Sequence, residues 1–460
     1  MRRVSKTFLP LLICALAVLN GQAQSARNVR VDFKETTLKN GLRVVTVEDH
    51  SAPVIAIAIN YNVGSRNERK GRTGFAHLFE HMMFKGSENV GSGEHFLLVF
   101  NNGGTMNGTT NPDRTAYFEA LPANQLDLAL FLEADRMRSL AITKENLDNQ
   151  RNAVQEERRL GIDNQPYGKT FETQQELIYD NFAYKHTTIG SMEDLTAASV
   201  EDVAEFFKMY YAPNNAVLVL VGDFKTAEAL TKIRTNFESI PRQPNPPAVD
   251  MTEPQQTAER RAKLDDQLAR AARLDIAFKA VPGNTADFYA LQVLAAALQG
   301  GQSSRLYQRL VKEREMVTNV GGFMDERVGV GAFYTNATLR PGTKPEDVEG
   351  TIYEEIERLK KEPIADWELQ KAKNTTRRNF INGLQSSLSR AITIANYITY
   401  YNEPALINSR LTKVAAVTKE DVQRVANKYL ANTNRSVIVT MPKARSTGSA
   451  ASGQQKELNK

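Results

Sequence analysis

Five prolines, Pro241, Pro244, Pro246, Pro247 and Pro254, crowd the middle of this 460-residue chain. Proline fixes φ and gives up a backbone donor, so neither a helix nor a central strand runs through such a segment. Residues 241–261 read as an extended linker. The sequence on its two sides is alike. Glu201-Asp202-Val203 opens a helix reaching Tyr210, followed by Asn214-Asn215 and a strand over residues 216–221. Glu420-Asp421-Val422 opens a helix reaching Tyr429, followed by Asn434 and a strand over residues 436–440. From 201 to 420 and from 210 to 429 the offset is the same 219 residues. A constant offset about a central linker predicts two copies of one domain, at residues 28–240 and 262–443. The length agrees, since a single core rarely grows beyond about 250–300 residues.

Each half mixes strands and helices. Asn40-Gly41 is a tight-turn signal before a β-rich strand at residues 42–47, and the alternating, β-branched residues 54–61 read as a second strand. Helical spacing marks residues 74–85, stopping at Gly86, and residues 126–140; Thr143 is placed to cap a further helix over 144–160. The expected fold is α+β: two homologous domains, each a mostly antiparallel sheet with helices packed on one side.

The ends of the chain are expected to lie outside the two domains. Arg2, Arg3 and Lys6 precede an apolar run at residues 8–19 and small residues ending at Ala23, the layout of a cleavable signal peptide over residues 1–23. The run's 12 residues are too few to span about 30 Å of hydrocarbon. The sole cysteine, Cys14, lies inside it, so the mature chain has neither disulfide nor thiol nucleophile. Three of the charges behind the net +5 leave with the leader. So weak a balance does not argue for nucleic acid. No later stretch is long and apolar enough to cross a bilayer, so the expected location is the periplasm or the exterior. Residues 444–460, rich in Ser, Gly, Gln and Lys, read as a flexible tail.

The chemistry lies before the linker, where all five histidines are found. Two belong to His77-Leu78-Phe79-Glu80-His81. Positions i and i+4 share a helix face, so both imidazoles can converge on one ion, with Glu80 beside them. Two neutral imidazoles suit zinc, and a third, carboxylate ligand leaves a position for water. The helix over 144–160 offers Glu145, Glu156 and Glu157. Leu147 and Val154 mark its apolar face; Glu157 lies at the edge of that face and Glu156 nearly opposite. Glu157 is therefore the expected third ligand, against the alternative of a salt bridge to Arg151 or Arg158.

These residues resemble the pitrilysin and insulinase type of inverted-motif zinc peptidases, which include the mitochondrial processing peptidases. The likeness runs through Asn40-Gly41-Leu42-Arg43-Val44, Val63-Gly64-Ser65 with Glu68, residues 74–86 around the histidines, Ala134-Asp135-Arg136-Met137 and Tyr211-Ala212-Pro213-Asn214-Asn215. It implies zinc on His77, His81 and Glu157, with Glu80 as general base and peptides as substrates. It also implies a glycine-rich edge strand at residues 103–110 that pairs with an extended substrate, with Asn107, Gly104, Thr105 and Phe79 as substrate contacts. Gly108 stands where Ala is usual.

Two departures matter. The family's accessory glutamate position holds Gln150. The Arg and Tyr that the family's second domain brings to the substrate carbonyl fall on Val311 and Thr318, neither of which can stabilise an oxyanion. The resemblance then implies a homologous partner subunit supplying that half-site in a heterodimer, with a homodimer as alternative. The leading expectation is a zinc metalloendopeptidase subunit; the rival is a non-catalytic peptide-binding or assembly subunit.

Overall fold

A computed structural model describes residues 30–443; the expected leader and tail lie outside the described residues. The first sheet holds β1 (Lys34–Thr37), β2 (Arg43–Glu48), β3 (Val54–Tyr61), β4 (Thr105–Thr110), β5 (Thr115–Pro122) and β6 (Ala216–Gly222), in the spatial order β1-β2-β6-β3-β5-β4. The second holds β7 (Arg260–Asp266), β8 (Arg273–Lys279), β9 (Val317–Met324), β10 (Ala332–Leu339) and β11 (Arg435–Pro442), in the order β7-β11-β8-β10-β9. In each sheet one neighbouring pair, β2 with β6 and β7 with β11, is parallel and the others are antiparallel. The topology repeats strand for strand, apart from the additional edge strand β1. The fold is α+β in two like domains, as the sequence predicts.

The repeated helix–strand unit is faithful in detail. Helices Val200–Tyr210 and Lys419–Tyr429 both begin with a capping box, Ser199 with Asp202 and Thr418 with Asp421. The proline-rich stretch carries neither helix nor strand over residues 241–257.

Alternation in β3 explains the layers. Ile55, Ile57, Ile59 and Tyr61 enter a core beneath the first domain's own helices, each apolar side chain contributing about 1.5–3 kcal/mol on burial. Ala56 and Ala58 face the other way. Cover on one side alone would leave that second face wet, and the structure supplies it from across the linker. Helix Ser387–Tyr401 lays Ala391, Ile394, Ala395 and Ile398 against Ala56, Ala58, Val219 and Val221. Small residues on both surfaces let helix and sheet approach closely.

The exchange is reciprocal. The first-half helix Gly168–Ile178 packs on β7, β8 and β11, with Thr170 Oγ1 3.0 Å from Thr440 Oγ1 and Gln175 Nε2 donating to Tyr334 Oη at 3.0 Å. Its start lies 219 residues before that of helix Ser387–Tyr401, so the swapped elements are themselves equivalents.

Candidate metal centre

Four helices of the first domain follow in chain order, α1 (Phe75–Met82), α2 (Glu94–Asn101), α3 (Leu126–Arg138) and α4 (Lys144–Arg158), and the site is built from α1 and α4. Helix α1 starts after Gly74, whose φ of +85° is a left-handed value that glycine takes without strain. The buried Glu68 holds its first turn: Oε2 accepts from Gly74 N (3.0 Å) and Oε1 from Ala76 N (2.8 Å). His186 Nε2 lies 2.9 Å from Glu68 Oε2. Burial pushes the Glu68 carboxyl up, and the His186 contact pulls it back.

Leu78, Phe79 and Met82 bury the apolar side of α1. On its other side the rings of His77 and His81 meet edge to face, with centroids 4.8 Å apart. Helix α4 delivers Glu157. Its Oε2 lies 3.5 Å from His77 Nε2 and 3.4 Å from His81 Nε2. Thr143 caps α4 by accepting from Asn146 N at 3.1 Å, and Leu147 and Val154 are buried, so the helical phase is the expected one. Glu156 turns to Arg159 at 3.0 Å. Arg151 is spent on Asp148 and the carbonyls of Leu195 and Ala198, and Arg158 on Glu172 and the Gly190 carbonyl. The competing salt bridge from Glu157 to these arginines is not made.

Burial, with the neighbouring His81, lowers the His77 pKa to about 4, so its imidazole is neutral and free to ligate. The Glu157 side chain is 51% exposed, so the cluster opens to solvent on that side. His77 Nδ1 is buried and finds no hydrogen-bond partner in the protein.

Glu80 stands apart from the triad. Its Oε2 accepts from Thr110 Oγ1 at 2.6 Å. Burial raises its pKa, against the lowering effect of that hydrogen bond. Gly108 makes room for it: a Cβ there would stand 2.9 Å from Glu80 Cγ. The unusual glycine thus has a neighbour that uses its space. Arg114, which donates to the Thr109 carbonyl at 2.6 Å and to Asn396 at 3.1 Å, ties this end of β4 to helix Ser387–Tyr401.

Strand β4 is an edge strand, paired with β5 alone. Thr105 and Asn107 are exposed along it. Two expected substrate contacts fall elsewhere. Phe79 is 1% exposed and packs among Phe206, Phe207 and Tyr211, because it lies on the core face of α1. Gly104 is buried, and a Cβ there would meet Leu121 and Val99 at 2.7 and 2.8 Å, so its small size serves packing.

In the second domain Val311 packs against the core, and the exposed Thr318 donates to the Thr338 carbonyl at 3.2 Å. The arginines nearby are engaged: Arg305 with Glu368, Arg309 with Glu313, and Arg314 with Thr351 and Glu354. Gln150 is buried and donates to its neighbour Asn149. Sequence reasoning reaches Glu68 and Thr110 only as parts of the family likeness, without their contacts to Gly74, Ala76 and Glu80, and misses Arg114 and His186 altogether. Only the scarcity of histidine could have singled out His186.

Comparison with known proteins sets these residues in a family. The profile described as insulinase (peptidase family M16) matches residues 43–188, and that described as the peptidase M16 inactive domain matches residues 197–376. Zinc protease PqqE of Helicobacter pylori is 30% identical over 434 residues, covering 94% of this chain and 98% of that protein. The chain therefore belongs to the insulinase family of peptidases, family M16. A probable mitochondrial-processing peptidase β subunit of Arabidopsis thaliana is 23% identical, covering 87% of this chain and 76% of that one. A protease from Helicobacter pylori of known crystal structure superposes with TM-score 0.86 at 31% identity, over 90% of this chain and 100% of that one. The first half of the periplasmic protease PqqL from Escherichia coli shares the fold at TM-score 0.73 and 17% identity, over 90% of this chain and 93% of that one. Among the described residues no helix is long and apolar enough to cross a membrane.

Proposed function

We propose that this chain is the zinc-carrying subunit of an exported metalloendopeptidase that cuts extended or unfolded peptides. The observation that carries this reading is the convergence of His77, His81 and Glu157 beside a separately held carboxylate, Glu80. The donor set suits the ion: two imidazole nitrogens and a carboxylate oxygen, with spacings near those of ligands about 2.0–2.1 Å from one zinc. Zinc held there supplies Lewis acidity toward water and a scissile carbonyl. Glu80, next to His81 and hydrogen-bonded by Thr110, is suited to take the proton that water gives up and pass it to the leaving amine. The free edge of β4, with Thr105 and Asn107 exposed, suits main-chain pairing with a substrate strand.

Val311 and Thr318 offer an oxyanion neither charge nor phenol, and the arginines around them already have partners. We therefore assign the missing half-site to a homologous subunit in a heterodimer, with a homodimer of different arrangement as the second reading. The same gap is what favours the rival function, a peptide-binding or assembly subunit without catalysis. The leader-like residues 1–23 and the likeness to a periplasmic protease support export to the periplasm or beyond.

The test is purification of the full chain with whatever accompanies it, followed by metal analysis and a peptide-hydrolysis assay. Zinc with hydrolysis, and Glu80→Gln that keeps zinc but loses turnover, is the expected result. Zinc without hydrolysis, alone or with the accompanying subunit, would leave the assembly reading in its place.

A further inference from the structure

A second cluster of ligand-type side chains lies in the core of the first domain, and it shares no residue with the first. Glu119 sits on β5 between Tyr117 and Leu121, on the face that packs against the helices. That is a position for an aliphatic side chain. Its carboxylate is 0% exposed, and neither Oε1 nor Oε2 has a hydrogen-bond partner in the protein. His95, on α2, brings Nε2 to 3.6 Å from Glu119 Oε2, and this nitrogen too is buried without a partner. Glu133, on α3 and 1% exposed, is the third member; one ligand atom from each residue lies within 4.8 Å of the others.

The surroundings fix these groups. Arg136, one turn beyond Glu133, holds that carboxylate through Nε at 3.0 Å and through Nη2. Its guanidinium lies over the rings of Tyr117 and Phe84, 4.5 and 5.2 Å from their centroids. Glu133 is thus oriented as outer partners orient a metal ligand, with lone pairs to spare. Arg136 makes no hydrogen bond to Glu119. Burial and the Arg136 charge push the His95 imidazole toward its neutral form, while burial pushes the Glu119 and Glu133 carboxyls up against the pull of Arg136.

An unpaired carboxylate beside an unpaired imidazole in a packed core requires a cationic partner or a proton. Arg136 supplies one positive charge nearby, but it bonds Glu133 and leaves both Glu119 oxygens and its own Nη1 without a partner, and at 3.6 Å His95 and Glu119 make no hydrogen bond. That separation is instead what two ligands of one ion show, and it matches the 3.4 and 3.5 Å found at the His77–His81–Glu157 cluster. We propose that His95, Glu119 and Glu133 form a second, enclosed site for a divalent transition-metal ion of the zinc type. One imidazole nitrogen and two carboxylate oxygens are its donors. The ion would pin α2, α3 and β5 to one another, and β5 is the strand that backs the edge strand β4.

The test uses the full chain in which His77→Ala and His81→Ala together remove the first cluster, produced with zinc supplementation and dialysed before metal analysis. About one equivalent of zinc per chain is expected to remain. Adding Glu119→Gln, a change of nearly equal shape, is expected to bring it close to zero with circular dichroism unchanged. Should that variant fail to fold, anomalous scattering at the zinc edge from crystals of the unsubstituted chain decides the matter. A peak among His95, Glu119 and Glu133 supports the site. A histidine double variant that folds yet holds no zinc, or a map with a peak at the first cluster alone, overturns it.

Discussion

The two domains repeat one topology, yet they put the same surfaces to different use. In the first, helix α1 buries Leu78, Phe79 and Met82 and keeps His77, Glu80 and His81 for an open face. In the second, helix Ala286–Gln299 is buried at ten of its positions, from Phe288 round to Gln299, and only the last of them is not a hydrophobic residue. The edge strands differ in the same way. Thr110 on β4 gives its hydroxyl to a carboxylate on a helix, whereas Thr318 on β9 gives its own to a carbonyl of the adjacent strand. The scaffold is thus satisfied without the site: the second domain closes the same core with side chains that have no chemistry to offer. What distinguishes the first is a set of polar groups held where packing alone would favour apolar ones.

The most severe way to break this comparison is to make the first domain resemble the second. His81→Ala should remove zinc and activity together, with turnover falling by about a thousandfold or more. Glu157→Gln should weaken zinc retention far more than Glu156→Gln, because only Glu157 faces the imidazoles. Zinc titration with a chelating indicator measures both; equal effects of the two glutamines would contradict the geometry.

Much of this site is legible from local pattern. The spacing of His77 and His81 is a property of one helix, and Leu147 and Val154 fix the phase that selects Glu157. Strand β3 occupies residues 54–61 as its alternation requires. What escapes is set by distance along the chain. The hydrogen bond from Thr110 to Glu80 spans 30 residues, the Glu68–His186 contact 118, and the Asn60–Asn396 contact 336. The exchange of helices across the linker is of the same kind. Ala56 and Ala58 hint at close cover on the second face, but nothing local says which helix provides it. Phe79 shows the reverse error: a residue inside a catalytic-type motif can belong wholly to the core.

Smaller changes sharpen the contrast. Thr110→Val removes a hydrogen bond to a charged group, a loss of about 1.5–3 kcal/mol, and should lower kcat by about ten- to a hundredfold with zinc content unchanged. Thr318→Val in the second domain should leave both as they are. If Thr318→Val proved equally damaging, the two edge strands would be doing the same work. The covered faces offer a symmetric test. Ala58 and Ala277 occupy equivalent positions, one against helix Ser387–Tyr401 and the other against Ile178 and Tyr184. Leucine at either should cost about 1–3 kcal/mol through overpacking, measured as a shift in urea midpoint. A cost at only one would mean that the exchanged helices do not grip alike.

The weakest expected effect separates the joints by pH. Asp49 accepts from Ser51 N at 3.0 Å and pairs with Arg390 on the exchanged helix, and these contacts lower its pKa from 3.8 to about 2. At the equivalent positions of the other joint stand Leu268 and Phe171, both exposed and neither able to titrate. A depressed carboxyl pKa gives stability that is present above 3.8 and lost as pH falls toward 2. The urea midpoint of the unsubstituted chain should therefore exceed that of Asp49→Asn near neutrality, and the gap should close as the pH is lowered through this window. Leu268→Asn should show no such convergence, since neither Leu268 nor Phe171 takes up a proton. A gap for Asp49→Asn that stays constant down to pH 2 would show that the ion pair does not secure the exchanged helix and that the two joints are held by packing alike.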